Sequence, residues 1–121
     1  MREFKFRFWD KHRKRISTIS TIDLHNKCVI GGPCYDTYAM SDVVIMQFIG
    51  LQDIEGTDIC EGDLLKYVHS DKVFEVVYFD GGFNLIEAKG NPHISLWTLL
   101  PWCIVVGNIY ENTELLVKEE K

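Results

Sequence analysis

The chain has 121 residues, of which 46% are hydrophobic, 26% charged and 12% aromatic, and its formal net charge is −5. This size and composition predict one soluble globular domain over residues 1–121, and they argue against disorder, a spanning helix, or stability that depends on metal or disulfides. Residues 1–15 carry seven bases and two acids, a net charge of +5, whereas the rest of the chain carries −10. The N-terminal residues lack the unbroken apolar stretch of a secretory signal, so we expect a cytoplasmic protein.

Short strands are predicted over the first part of the chain, residues 1–50. Apolar and charged residues alternate over residues 4–8, which is the period of a strand with one buried face. Residues 16–30 are rich in β-branched residues and poor in helix formers, which indicates two further strands. Residues 35–47 fit a buried strand, although part of this stretch could instead form one helical turn.

An acidic turn region, residues 51–63, separates these strands from a hairpin and core region over residues 64–110. Five acids and no base fall within eleven residues of the acidic region. Turns rich in Gly and Asp then divide the core region into strands, and the charged residues 117–121 are predicted to be a frayed tail. Short strands joined in this way predict an all-β sandwich or small barrel. The predicted core strands are residues 64–68, 73–79, 83–88 and 103–106.

A basic cluster after the first strand is the candidate binding site. Its lysines and arginines could attract the phosphates of nucleic acid through counterion release, and a tryptophan on the same face could stack on a base. The cluster also fits a solvated turn between two strands, which the acidic composition of the chain favours. In a third interpretation it lies against acidic residues of the same chain or of a neighbour. The candidate residues are Trp9, Lys11, Arg13, Lys14 and Arg15.

Two groups of residues offer ligands to a metal. His25, Cys28 and Cys34 have the donor atoms that zinc prefers, but their spacing matches no compact zinc motif. The second group consists of acids on a glycine-containing loop, which calcium could bind but which lacks the spacing of an EF-hand. We expect no metal and no cofactor, with the thiols buried and the acids accepting backbone hydrogen bonds in turns. The acids are Asp53, Asp58, Glu61 and Asp63.

Catalytic residues are not predicted. Cys60 or Cys103 could act as a nucleophile only with a histidine base within hydrogen-bond reach, and the candidate bases are scattered along the chain. The stretch from residue 31 to residue 34 lacks the Lys-Ser/Thr pair of a phosphate-binding loop. We therefore predict that the protein is not an enzyme. The candidate bases are His25, His69 and His93.

Several stretches of the sequence resemble the YopX-like family of small phage and prophage proteins. The resemblance implies an all-β domain with few or no helices that forms a small, partly open barrel of the SH3 type and is encoded by a phage or prophage in a bacterial host. It implies no established activity, substrate or site residue. The sequence departs from the family pattern at Cys60, where an aromatic residue is expected, and at Thr113, which is often Pro. The matching stretches are MREFKFRFWD (1–10), MQFIGLQDIEGTDICEGDL (46–64), VYFDGGF (77–83) and VGNIYENTELL (106–116).

Two functions from different classes are compatible with these observations. The first is a non-enzymatic binding module that contacts an unknown protein partner or further copies of itself. The three Trp and five Tyr residues favour it, because aromatic residues are enriched at interfaces. The alternative is a weak nucleic-acid-associated protein that uses the basic turn, as some small β-barrels do. Neither function involves a membrane.

Overall fold

The computed structural model describes residues 4–87, 94–95 and 99–115. Most of these residues lie in short antiparallel strands, which confirms the all-β prediction. None of the described helices is long and apolar enough to cross a membrane. The tail predicted at residues 117–121 and the candidate base His93 lie outside the described residues.

The chain divides into two compact units, Met1–Phe48 and Ile49–Lys121. The strands of the first unit have the order β4-β3-β2-β1-β5, and all neighbours are antiparallel. A 3₁₀ turn, Met40–Asp42, joins β4 to β5, so the ambiguous stretch contains both a strand and a short helical turn. The strands are β1 (Phe6–Asp10), β2 (Arg15–Asp23), β3 (Cys28–Gly31), β4 (Asp36–Ala39) and β5 (Val43–Gln52), whose last residues enter the second unit.

The core of the first unit forms around Phe8. Its ring lies 4.9 Å from the ring of Tyr38, and Val29 and Val43 complete the buried cluster. The first strand begins two residues later than predicted, because Phe4 lies before the first paired residue and is 71% exposed. It continues to Asp10, which pairs with the first residue of β2.

The second unit contains a five-stranded sheet with the order β10-β9-β8-β7-β11, and β6 pairs with the end of β5. The four predicted core strands are confirmed, with end points that differ by at most two residues. Both described sheets are open, and the partly open barrel of the SH3 type stays a prediction. The strands are β6 (Asp58–Cys60), β7 (Asp63–Tyr67), β8 (Val73–Phe79), β9 (Gly82–Glu87), β10 (Ile94–Ser95) and β11 (Cys103–Asn108).

A larger apolar core lies within the second unit. Alternate residues of β8 are buried, as expected of a strand with one face toward the core. Burial of each large aliphatic or aromatic side chain contributes about 1.5–3 kcal/mol to folding. The 3₁₀ turn Leu100–Trp102 precedes β11 and places Leu100 in this core. The buried cluster consists of Ile59, Leu65, Phe74, Val76, Leu85, Leu100 and Cys103.

Candidate interaction surfaces

The predicted basic cluster forms the turn between β1 and β2. Asp10 lies buried beneath it, and its Oδ1 accepts hydrogen bonds from the backbone N–H groups of His12 at 3.0 Å and Arg13 at 3.1 Å. Its Oδ2 accepts a hydrogen bond from Nη1 of Arg13 at 3.4 Å. The backbone N–H of Lys14 donates to the Asp10 carbonyl at 2.8 Å and closes the turn. One buried carboxylate therefore fixes the shape of the basic turn.

The pKa of Asp10 lies below the ordinary value of 3.8 for this side chain. Burial has the largest single influence and raises the pKa, but hydrogen bonds from the backbone of Arg13 and His12 and from the Arg13 side chain together outweigh it. The carboxylate is therefore ionised at neutral pH. In that state it neutralises part of the positive charge of the turn.

The candidate binding residues have different surroundings within the fold. Nζ of Lys11 donates a hydrogen bond to the carbonyl of Ser41 at 3.1 Å, so this cation is already used within the unit. Trp9 is half-buried in β1 between two neighbouring strands. Lys14 and Arg15 are exposed and form no ion pair with any residue in the described part of the chain. These two residues keep their charge available to a partner.

A cleft of about 560 Å³ lies beside the basic turn. The whole of β4 lines it, together with Asp10, His12, Arg13 and Asp42. The backbone N–H of Lys11 donates to the Asp42 carbonyl at 3.1 Å and joins the turn to this side of the cleft. With three aspartates and one arginine among the lining residues, the cleft is acidic although it borders a basic surface.

The cleft aspartates differ in how far their charge is compensated. Asp42 Oδ1 lies 3.2 Å from Nε2 of His12, and both side chains are substantially exposed. The guanidinium of Arg13, which pairs with the buried aspartate, lies 6.0 Å from the centre of the Tyr38 ring. Asp36 is exposed and forms no ion pair or side-chain hydrogen bond within the described ranges. Asp36 therefore supplies the uncompensated negative charge of the cleft.

An exposed apolar surface in the second unit was missed by the sequence predictions. Ile54 is 51% exposed, Val68 41% and Trp102 45%, and Pro101 is also exposed. The backbone N–H of Val68 donates to the Trp102 carbonyl at 2.8 Å, and that of Ile54 donates to the next carbonyl along the chain at 3.3 Å. These bonds hold the backbones of Ile54 and Val68 beside the segment that contains Pro101 and Trp102, and we call these four exposed residues the apolar patch.

A shallow cavity of about 250 Å³ adjoins the apolar patch. It is lined by Gln52, Asp53, Ile54, Leu100 and Pro101. The residues of the patch and its cavity come from three separate stretches of the sequence. Local periodicity, which identified the strands, therefore carried no signal for this surface.

A second group of exposed aromatic side chains lies at the end of the β8–β9 hairpin. Tyr78 is 59% exposed and Phe79 52%, and the Tyr78 ring meets the Phe83 ring edge to face at 5.2 Å. Asp80 and Gly81 join the strands, and both have positive φ angles, 54° and 84°. Such a two-residue turn matches the twist of the flanking strands. The hairpin therefore holds this aromatic group at its exposed end.

Two of the candidate calcium ligands act as turn acceptors. Asp53 Oδ1 accepts hydrogen bonds from two backbone N–H groups of its own loop, at 2.8 and 2.9 Å, and its Oδ2 accepts one from Val105 at 2.9 Å. Asp63 Oδ2 accepts the backbone N–H of Cys60 at 2.8 Å. These bonds confirm the turn role expected of these buried acids. Over residues 4–87, 94–95 and 99–115, no three His, Cys, Asp or Glu side chains are grouped so as to hold a metal ion.

The thiols proposed as nucleophiles are buried. Sγ of Cys103 donates a hydrogen bond to the Leu99 carbonyl at 3.3 Å, and burial raises its pKa to about 11. At neutral pH this thiol is protonated, and a protonated thiol is a poor nucleophile. Cys60 is equally buried, whereas Cys34 is exposed. The ring of His69, one of the candidate bases, packs edge to face against a tyrosine ring at 5.3 Å.

Comparisons with known proteins identify a family and its fold. The family model described as YopX protein matches residues 5–117. No curated protein is similar enough in sequence to match. The crystal structure of protein EF1440 from Enterococcus faecalis has a TM-score of 0.70 and 28% sequence identity, and the match covers 97% of this chain and 100% of that chain. The crystal structure of protein yopX from Bacillus subtilis has a TM-score of 0.62 and 17% identity, covering 96% of this chain and 98% of that one, which is a likeness of fold.

Proposed function

Because the chain belongs to the YopX protein family, we propose that it is a non-enzymatic interaction module of a phage or prophage that acts through protein–protein contacts in the host cytoplasm. The observation that carries this proposal is the apolar patch. Exposed apolar surface is unfavourable by about 25 cal/mol per Å², and contiguous patches of it mark interaction sites. A partner that covers the patch removes this surface from water.

The backbone beneath the patch is held in place before any partner binds. Pro101 lies within the first turn of a 3₁₀ helix, and the carbonyl of Trp102 accepts the backbone N–H of Val68. A surface ordered in advance loses less conformational entropy on binding. Tryptophan is also among the residues that contribute most at interfaces. We therefore expect Trp102 to be the main contact residue.

The surroundings of the reactive groups support a non-enzymatic role. The carboxylates of Asp10, Asp53 and Asp63 accept hydrogen bonds from backbone amides of their own turns. The thiol of Cys103 is buried and protonated at neutral pH. General-base and nucleophilic catalysis require such groups to face a substrate in the right protonation state. The fold instead uses them for its own stability.

The test compares a substitution within the patch with a matched one outside it. Leu24 is 77% exposed in the first unit, so Leu24→Glu introduces the same charge at an exposed apolar residue that is not one of the four in the patch. If copies of the chain associate through the patch, sedimentation velocity will show a mass that rises with concentration. Trp102→Glu will abolish this rise and Leu24→Glu will not. Unfolding curves of both variants check that the fold is intact.

A monomeric result leads to a second measurement, which addresses a different protein as partner. A photo-crosslinking amino acid is placed at residue 102, and at residue 24 in the control, in host cells that express the protein. A single crosslinked partner at residue 102 that is absent at residue 24 and lost on Val68→Glu supports the proposal. A monomer that gives no such crosslink overturns it.

A nucleic-acid-associated function is the second candidate. Lys14 and Arg15 favour it, because both are exposed and neither forms an ion pair with the residues that the structure describes. The remaining positive charges of the turn are used internally. Two phosphate contacts predict that a fourfold rise in salt weakens binding about tenfold.

Fluorescence anisotropy with mixed DNA and RNA fragments tests this candidate at low and moderate salt. The double variant Lys14→Gln, Arg15→Gln removes the free charges and leaves Asp10 and its hydrogen bonds in place. The matched control neutralises Lys66 and Lys72, which form ion pairs in the second unit. Salt-sensitive binding that only the first variant abolishes supports the candidate. Equal affinity of the two variants contradicts it.

A further inference from the structure

We propose that the outer edge of β4 takes an extended, positively charged segment of a partner protein as an added strand. This inference rests on the proposed function, because it specifies one kind of protein segment that the module contacts. It concerns the acidic cleft of the first unit and makes no use of the apolar patch.

The backbone of β4 has hydrogen-bonding groups that face out of its sheet. The N–H of Met40 donates to the carbonyl of Lys27 at 3.0 Å, one position beyond the Cys28–Ala39 pair, so a hydrogen-bonded position lies at this end of the ladder. Bonded and non-bonded pairs alternate along an antiparallel ladder. Thr37 and Ala39 therefore occupy non-bonded positions, and their N–H and C=O groups point away from β3. Because β4 is the last strand in the order, they point out of the sheet.

These outward groups are not used elsewhere in the described part of the chain. Thr37 and Ala39 have no backbone hydrogen bond to any described residue outside the β3–β4 ladder. Both residues are exposed. An added strand satisfies such groups with its own backbone, and this provides affinity without sequence specificity. The edge therefore has the chemistry of a strand acceptor.

The cleft gives an added strand room and selects its charge. All four residues of β4 line it, so the edge borders a space of about 560 Å³. An added strand lies about 4.8 Å from its neighbour, and its side chains then reach the other cleft residues. Asp36 has no compensating charge within the described ranges, and Asp42 has only His12. Lysine or arginine side chains complement this surface, whereas acidic ones are repelled.

The same charges argue against a second copy of β4 as the occupant. Pairing between the β4 edges of two copies would set one acidic cleft beside another. Like charges close to each other across paired strands are destabilising. Short edge strands with charged residues are also a common means of preventing pairing between identical molecules. A basic segment of a different protein avoids the repulsion between like charges.

The test measures binding of a labelled peptide to the full chain by fluorescence anisotropy. The probe is a capped heptapeptide in which valine and lysine alternate, and the control peptide has glutamate in place of lysine. We expect saturable binding of the lysine peptide, at least tenfold weaker binding of the glutamate peptide, and weaker binding after Asp36→Asn. In amide NMR spectra, the N–H signals of Thr37 and Ala39 are expected to shift on binding.

The backbone contribution is tested by Ala39→Pro. The φ angle of Ala39 is −68°, close to the value that proline requires, so this change removes an outward N–H without straining the strand. Binding is expected to weaken about threefold to tenfold, the effect of losing one hydrogen bond. Ala39→Ser keeps the N–H and is the matched control. A lysine peptide N-methylated at its central residues provides the same test without altering the protein.

The results separate this inference from the proposed function. Trp102→Glu is expected to leave peptide binding unchanged, because Trp102 is not among the residues that line the cleft at β4. Equal binding of the two peptides, or binding that resists both Ala39→Pro and N-methylation, overturns strand addition at β4. Either result leaves the experiments on the apolar patch unaffected.

Discussion

Each unit has an exposed surface that is supported by a buried aspartate, but the two aspartates act over different distances along the chain. Asp10 accepts backbone N–H groups two and three residues ahead of it and shapes the basic turn. Asp53 does the same within its own loop, and its second oxygen also accepts the N–H of Val105, 52 residues away. The first surface depends on a local turn, whereas the second depends on a contact between distant segments.

This difference has an energetic consequence. The amides bound by Asp10 belong to an exposed turn, so water can replace part of what the carboxylate provides. Asp53 also satisfies the N–H of Val105 in β11, whose side chain packs against the apolar core, and there a lost partner leaves a donor poorly solvated. We expect the surface of the second unit to be the more sensitive to loss of its aspartate.

The largest effect is expected for Asp53→Ala. The substitution leaves three backbone donors without their acceptor, and we expect the free energy of unfolding to fall by about 3 kcal/mol. Urea unfolding followed by circular dichroism measures this loss. Asp53→Asn keeps one acceptor oxygen and is expected to lose less. A loss below that of Asp10→Ala would reverse the comparison.

A smaller effect is expected for Asp10→Ala. Removal of a side chain that accepts backbone N–H groups at the start of a turn typically costs about 1 kcal/mol, and the Arg13 partner of the ion pair is itself 56% exposed to water, so the pair adds little. The same unfolding measurement applies. Lys14→Ala is the matched control within the turn. Lys14 bonds to Asp10 through its backbone N–H, and the substitution keeps that bond. A loss equal to that of Asp53→Ala would show that the local turn is as important as the long-range contact.

One acidic residue in each unit is expected to make the free energy of unfolding depend on pH. The two residues, Asp10 and Glu75, act in opposite directions. The pKa of Asp10 is lowered in the folded state, so its contribution to stability is present above 3.8 and is lost as pH falls through the folded value. Burial raises the pKa of Glu75 above 4.5, so its ionisation opposes folding and this cost disappears as pH falls below the raised value.

Unfolding free energies measured from pH 7 to pH 2 test this contrast. Asp10→Asn is expected to remove part of the acid-induced loss of stability. Glu75→Gln is expected to raise stability at neutral pH and to have no effect at the acidic end of the range. Identical pH profiles for both variants and the wild type would contradict the assigned directions.

The smallest effect on the protein is expected from chemical labelling of its thiols under native conditions. Cys34 is exposed and is expected to react first with iodoacetamide, whereas buried Cys60 and Cys103 are expected to react only when the chain unfolds. Mass spectrometry of peptides after timed labelling gives the order. Rapid native labelling of Cys103 would contradict its burial and its raised pKa.

The parts of the fold that were predicted from sequence depend on neighbouring residues. Alternation along β8 and the Asp-Gly turn after it are local signals, and the strand and turn occur where they were expected. The basic turn was also predicted, because its charges are consecutive. The stretch over residues 35–47 stayed ambiguous because the strand at Tyr38 is stabilised by a distant ring, that of Phe8.

For the candidate surfaces, too, prediction from sequence was limited to features made by neighbouring residues. Lys14 and Arg15 were among the predicted residues, but no sequence pattern separates them from Arg13, whose charge is paired with Asp10. The apolar patch could not be predicted, because Ile54, Val68 and Trp102 become neighbours only through hydrogen bonds between separate strands and turns. The outward groups of β4 likewise follow from the strand order rather than from composition.

The hydrogen bond between Asp53 and Val105 also sets the order in which the two surfaces can form during synthesis. The basic turn needs only residues 10–14, so it can form as soon as these emerge from the ribosome. The apolar patch needs residues as far along as Val105, so it cannot be complete until nearly all of the described chain has emerged. A nascent chain therefore presents its charged surface first, and a partner that recognises the apolar patch selects chains whose synthesis has passed that point.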